Sequence, residues 1–134
     1  MVSALPRTVN QIPLDPQAVS NAENCTDLLR CMYNLADMDM EVLRLMLSEG
    51  PFKAEVLAER LGRDRSTVYR SLQKLVSCQV VTKETRSLDR GGYYHVYGAV
   101  PRNVLKERLV HCVDEWHSRV SSLLERFDED MDAL

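Results

Sequence analysis

Between Arg63 and Lys74 the chain gathers four kinds of donor: the guanidiniums of Arg63, Arg65 and Arg70, the hydroxyls of Ser66 and Thr67, the amide of Gln73 and the ammonium of Lys74. A guanidinium can grip guanine or a phosphate with two parallel hydrogen bonds, and an amide can do the same for adenine. Hydroxyl and ammonium groups suit backbone phosphates. Arg86 and Arg90 follow, next to a Gly91-Gly92 pair that would let the backbone come close to a surface. The chemistry of such a set is recognition of a polyanion. Bond-making is not expected: there is no nucleophile elbow, no phosphate-binding Gly loop and no acid/base pair at a catalytic spacing.

The charge distribution supports this more than the total does. Net charge over the 134 residues is -3, but it is -4 over residues 1–49, +4 over 50–98 and -3 over 99–134. A basic middle between acidic ends points to one face built for phosphates. No stretch is long and apolar enough to span a bilayer, and the first residues lack a secretory pattern, so a cytoplasmic protein is expected.

The elements that must position these donors can be read from periodicity. Residues 1–24, interrupted by Pro6, Pro13 and Pro16, read as an irregular arm, although Asp15-Pro16 can open a short helix. Thr26 is the expected cap of a helix to about Leu35, and Asp39 of a second helix that stops at Gly50-Pro51. Lys53 to Leu61 forms a third, Gly62 a tight turn, and Asp64 caps a fourth by accepting the Thr67 amide, with Val68, Leu72, Leu75 and Val76 as its buried stripe to about Ser77. From Val80 the period changes to alternation, giving a hairpin of Val80–Thr85 and Tyr93–Tyr97 around a polar tip. Pro101 then opens a helix of roughly 40 Å, too long to bury its stripe within its own small domain.

The predicted fold is therefore mainly α with a small β-hairpin wing. It is a winged helix-turn-helix over residues 25–100, followed by a C-terminal dimerisation helix and tail over 101–134. With about 100° per residue, Ser66, Arg70 and Gln73 fall opposite Val68, and Thr67 and Lys74 lie beside them. Arg63 and Arg65 at the helix start are expected to position phosphates, Arg86 and Arg90 to sit over phosphate or in a narrow minor groove, and Tyr69 to pack under the wing.

On LAERLGRDRSTVYRSLQKL from Leu57 to Leu75, YHVYGAVP from Tyr94 to Pro101, and the long helix after it, the chain resembles the DNA-binding region of the TrmB family of archaeal regulators, with MarR-like winged helices as broader relatives. The likeness covers about residues 38–128. It implies a sequence-specific transcriptional regulator of double-stranded DNA, with Ser66-Thr67-Val68-Tyr69 in its recognition helix. Full-length members carry a sugar-binding domain after the long helix; here the sequence stops at Leu134, so no sugar is assigned.

Leu105, Leu109, Cys112, Trp116, Val120, Leu123 and Phe127 recur at intervals of three and four, an apolar seam that a second copy would cover, or that could fold back on the Thr26–Leu35 helix. A homodimer and a roughly palindromic operator follow. Cys25, Cys31, Cys78 and Cys112 show no metal spacing and read as reduced thiols, with a disulfide between two copies of Cys112 as the lesser alternative. His111 and His117 decorate a helix, and no cofactor is expected. Two other readings stay open: a winged helix that docks onto transcription machinery, and a regulator whose small-molecule or redox signal acts between the arm, the early helices and the dimer helix.

Overall fold

The computed structural model describes residues 16–134, so most of the arm expected over 1–24 lies outside the described residues. Its last part is helical: α1 (Pro16–Asn21) opens on the proline, whose fixed φ suits a first turn. In α2 (Cys25–Tyr33) the cap is Asn24 rather than Thr26. The Asn24 side chain accepts the Asp27 N–H at 3.0 Å, and Thr26, already in the first turn, donates its hydroxyl to Asn24. The helix stops before Leu35 because Asn34 turns left-handed, at φ 54°.

α3 (Asp37–Ser48) likewise starts earlier than expected, with Ala36 as its cap residue. Alanine has no side-chain acceptor; Asp39, one turn in, reaches back and accepts the Ala36 N–H at 2.8 Å. α4 (Ala54–Leu61) ends on Gly62 at φ 65°, a left-handed position that glycine occupies without strain. α5 (Arg65–Ser77) begins on Asp64, which accepts the Thr67 N–H as the sequence predicts. Val68, Leu72 and Leu75 of α5 are fully buried with Val42 and Leu43 of α3 and Leu57 of α4. Each such side chain stabilises the fold by about 1.5–3 kcal/mol relative to exposure.

Gln79, at φ 65°, reverses the chain into the hairpin. β1 (Val81–Ser87) pairs antiparallel with β2 (Tyr93–Ala99), in register from Val81 opposite Ala99 to Ser87 opposite Tyr93. Both strands run two residues further than the alternation predicts. Phe52 exchanges two backbone hydrogen bonds with Tyr97, at 2.9 and 2.7 Å, and so ties the base of the wing to the entry of α4.

α6 (Arg102–Leu124) is about 34 Å long, shorter than expected, because the chain turns at Glu125-Arg126 and Phe127 starts a separate short helix, α7 (Phe127–Asp132). Its first half folds back on its own chain. Leu105 joins the main core, and Cys112, only 4% exposed, packs with Met32, Leu28 and Leu109. These two members of the seam are thus covered within the protomer, and a disulfide between two copies of Cys112 is ruled out in this conformation. Arg108 adds a polar tie, donating to the Gln79 carbonyl. Tyr33 is enclosed nearby: burial first, then the Cys112 and Cys78 thiols, push its phenol up to about 12, against the opposing pull of Arg108. Beyond Cys112 the helix leaves Val113, Trp116 and Leu123 exposed. Among the described residues no helix is long and apolar enough to cross a membrane.

Candidate nucleic-acid interface

α5 is held from beneath by its apolar stripe, which fixes what it can present above. Ser66, Arg70 and Gln73 are exposed on the side opposite Val68, as the face arithmetic predicts. Neither Arg70 nor Gln73 has an ion-pair or hydrogen-bond partner among the described residues. A free guanidinium and a free amide, one turn apart on a rigid helix, need no internal bond broken before they engage a flat hydrogen-bonding edge.

Other expected contacts are partly occupied. Ser66 and Thr67 both donate their hydroxyls to the Asp64 carboxylate, Thr67 at 2.6 Å. These bonds, with Ser66 first, hold Asp64 down to about 2. A hydroxyl has one proton to give, so in this conformation both serve the helix start instead of a phosphate. Arg63 lies 3.7 Å from Glu41, and Arg65 lies 3.4 Å from Glu55. Both pairs are long and exposed, worth little in water and easily exchanged for phosphate.

Lys74 departs most from the expectation. Its ammonium donates to the Asn34 carbonyl at 2.7 Å and to Asp39 at 2.8 Å, while Ser71 donates to the other Asp39 oxygen at 2.7 Å. Burial alone would raise the Asp39 carboxyl; the bonds from Lys74, Ala36 and Ser71 outweigh it and hold the group below its usual range. Lys74 sits beside the outward stripe in the last turn of α5, near enough to α2 and α3 to be drawn inward. In this conformation its charge is spent within the fold, on Asp39 and the Asn34 carbonyl, and not left free for a phosphate.

In the wing, Arg86 donates to Glu84 at 3.0 Å, an exposed pair along one strand. Arg90 has no such partner among the described residues, and Gly91 and Gly92 beside it both stand at φ 90°. The tip is closed by Leu88 donating to the Gly92 carbonyl at 3.0 Å. Tyr69 is 38% exposed, more open than packing under the wing predicts.

Two features had no local signal in the sequence. Tyr93 at the wing tip is 75% exposed, and Lys53 sits over the Tyr94 ring at 4.5 Å, bracing the wing against the start of α4. The second joins residues 41 positions apart, which no short-range pattern encodes. Among the described residues no group of three or more His, Cys, Asp or Glu could hold a metal ion.

A family model described as "Sugar-specific transcriptional regulator TrmB" matches residues 29–103. An uncharacterized protein of Methanocaldococcus jannaschii, MJ1503, is 33% identical over 101 residues, which is 75% of this chain and 76% of that protein. A second from the same organism, MJ1082, is 30% identical over 77% of this chain and 85% of its own length. Among solved structures, a possible transcriptional regulator from Methanosarcina mazei Go1 is 28% identical and superposes with a TM-score of 0.66 over 76% of this chain and 87% of that one. The ST1889 protein of Sulfolobus tokodaii shares the fold at 24% identity, with a TM-score of 0.56 over 71% of this chain and 93% of its own.

Proposed function

Since the chain belongs to the TrmB family of transcriptional regulators, we propose that it is a sequence-specific regulator of double-stranded DNA that acts as a homodimer. α5 enters the major groove, and the wing rests on the backbone or in the minor groove. The single observation that carries this reading is the pairing of Arg70 and Gln73, both exposed and both unengaged, on the face of α5 opposite its buried stripe. Arg70 reads guanine and Gln73 adenine through two hydrogen bonds each. Arg63, Arg65, Arg86 and Arg90 hold the backbone and set the register.

The dimer reading is supported by the outer half of α6, where Val113, Trp116, Val120 and Leu123 recur at intervals of three and four, Val120 half-buried and the other three exposed. A two-fold pairing there would present two copies of α5 to half-sites about one helical turn apart.

Selection of bound fragments from random double-stranded DNA tests the whole reading, and a recovered palindrome is the expected result. A titration across salt accompanies it: log affinity should fall linearly with log salt concentration as counterions are released. Recovery of no enriched sequence, with affinity indifferent to salt, would refute the proposal.

A further inference from the structure

The register of the wing sorts its side chains onto two faces, because cross-strand partners share a face and successive residues alternate. One face carries Lys83 opposite Tyr97, Thr85 opposite His95, and Ser87 opposite Tyr93. The other carries Glu84 opposite Val96 and Arg86 opposite Tyr94. This second face is the braced one: Val96 is buried, Lys53 covers the Tyr94 ring at 4.5 Å, and Arg86 donates to Glu84 at 3.0 Å.

The first face turns toward α5. Tyr97, at its inner end, is buried, and burial first, then Tyr69 and Glu55, raise its phenol against the opposing pull of Arg65. Tyr69 and Arg65 belong to α5 and Glu55 to α4. At about 100° per residue, Arg65 and Tyr69 stand on the flank of α5 between its buried stripe and the outward set of Gln73, Ser66 and Arg70. The first face of the wing and the outward stripe of α5 therefore adjoin along that flank.

This face is a ladder of donors. Lys83, Thr85, Ser87, Tyr93 and His95 are all exposed, and neither strand places a carboxylate among them. Lys83 has no ion pair among the described residues. Glu55, which reaches Tyr97 from α4, is engaged by Arg65 at 3.4 Å.

Of these side chains only an imidazole ordinarily changes charge near neutral pH. Nδ1 of His95 lies 3.0 Å from the Thr85 hydroxyl. That hydroxyl suits either state of the ring, since it can donate to Nδ1 of a neutral imidazole or accept from Nδ1–H of an imidazolium. In both states Nε2 keeps its proton, which no group among the described residues accepts. No carboxylate pairs with the ring there either, so the counter-charge that favours an imidazolium is absent from the free protein, and a phosphate against Nε2 would supply it. The other charged or titratable groups on this side are Lys83, Tyr93 and Tyr97 of the wing, Asp89 and Arg90 at its tip, Glu55 of α4, and Arg65 and Tyr69 of α5. Side chains of those types ordinarily titrate outside the range from about pH 6 to 8.

We propose that the wing lays this face along the DNA backbone and that His95 takes up a proton from solvent when its Nε2 meets a phosphate, so that DNA is held more tightly as pH falls. This rests on the DNA-binding reading above and adds a proton-linked contact to it. Because the imidazolium is favoured only in the complex, the gain in affinity is complete below the titration of the free ring and is lost as pH rises through that of the bound ring.

The test measures fluorescence anisotropy of the full chain on a site recovered by the selection above and on a random duplex of the same length, across pH and salt. From about pH 8 to about pH 6 the dissociation constant should fall about tenfold on both duplexes, and the log-log salt slope should steepen by about one. His95→Gln should bind at the higher pH and show neither change, whereas His111→Gln with His117→Gln, both on α6, should keep both. A His95→Gln chain that is weaker by one factor at every pH, with the native pH response intact, would make His95 a structural part of the wing and overturn the proposal. As a second variant, Lys83→Gln should weaken binding alike at every pH and lower the salt slope by about one. Unchanged binding by Lys83→Gln would show that the backbone runs along another face. Salt-dependent binding by the native chain that ignores pH overturns the proton-linked contact and leaves the DNA reading standing; absence of binding at every pH and salt concentration removes both.

Discussion

Lys74 of α5 donates to Asp39 of α3 across 2.8 Å, and that carboxylate, 4% exposed, also receives Ser71 and the Ala36 amide. α5 is thereby pinned to α3 behind it by directional polar contacts that its apolar stripe alone does not supply. Directional bonds fix rotation about the helix axis; dispersion and burial mostly do not.

Asp39→Ala leaves the Ser71 hydroxyl and the Ala36 N–H without their acceptor and the Lys74 ammonium with the Asn34 carbonyl alone. The expected loss is about 2 kcal/mol by denaturant titration, below the range for a fully buried pair because Lys74 is partly exposed to solvent.

Acid should erase this contribution. The Asp39 carboxyl is held below its unfolded value, so its stabilisation is complete above about pH 4 and is lost as pH falls through the lower folded value. Consequently the stability gap between the native chain and Lys74→Met should be widest near neutrality and close progressively in that acid window. A gap that stays constant down to pH 3 would mean the ion pair contributes nothing.

Arg70→Ala should cost about 1–3 kcal/mol in affinity for the selected site and relax preference at one base pair per half-site. Quantitative gel shifts on a panel of single-base variants measure both. Full specific affinity after this substitution would show that another face of α5 reads the sequence.

Arg90→Ala is expected to behave differently. At the tip of the wing it is proposed to contact backbone or minor groove, so binding should weaken almost equally across sequences, and the log-log salt slope should drop by about one. A loss confined to one sequence would make Arg90 a base reader.

The chain holds a single tryptophan, Trp116, which is 45% exposed in the protomer and lies on the proposed seam. Its emission should be blue-shifted in the dimer and move to the red on dilution, with a midpoint matching the dissociation constant from sedimentation. Emission that ignores concentration would place the dimer contact elsewhere.

Much of the architecture was legible in the residue order because it rests on short-range physics. The 3.6-residue recurrence of Val68, Leu72 and Leu75, the Asp64 cap, the turn at Gly62 and the change from helix to strand near Val80 each involve neighbours within a few positions, and all recur in the fold, although the first strand is exposed along its whole length after Val81 instead of alternating. Arg70 and Gln73 could be placed outward for the same reason, since a helix whose buried stripe is known has a known opposite face. The caps at Asn24 and Ala36 lie two and three residues before the expected Thr26 and Asp39, because a polar side chain inside the first turn carries the same local signal as one at the cap itself.

The occupation of each donor was not legible. Lys74 and Asp39 are 35 residues apart, Lys53 and Tyr94 41, and Arg108 and Gln79 29, so whether a charged group is spent inside the protomer or left free depends on which helices pack together. The same holds for the long helix, whose repeat looks uniform in the sequence. Packing against α2 buries Cys112 and leaves Trp116 exposed, because the small domain is wide enough to cover only the first turns of a helix that outruns it. Local order thus chose the elements and their outward faces, and the meeting of distant segments decided which side chains on those faces remain free to bind.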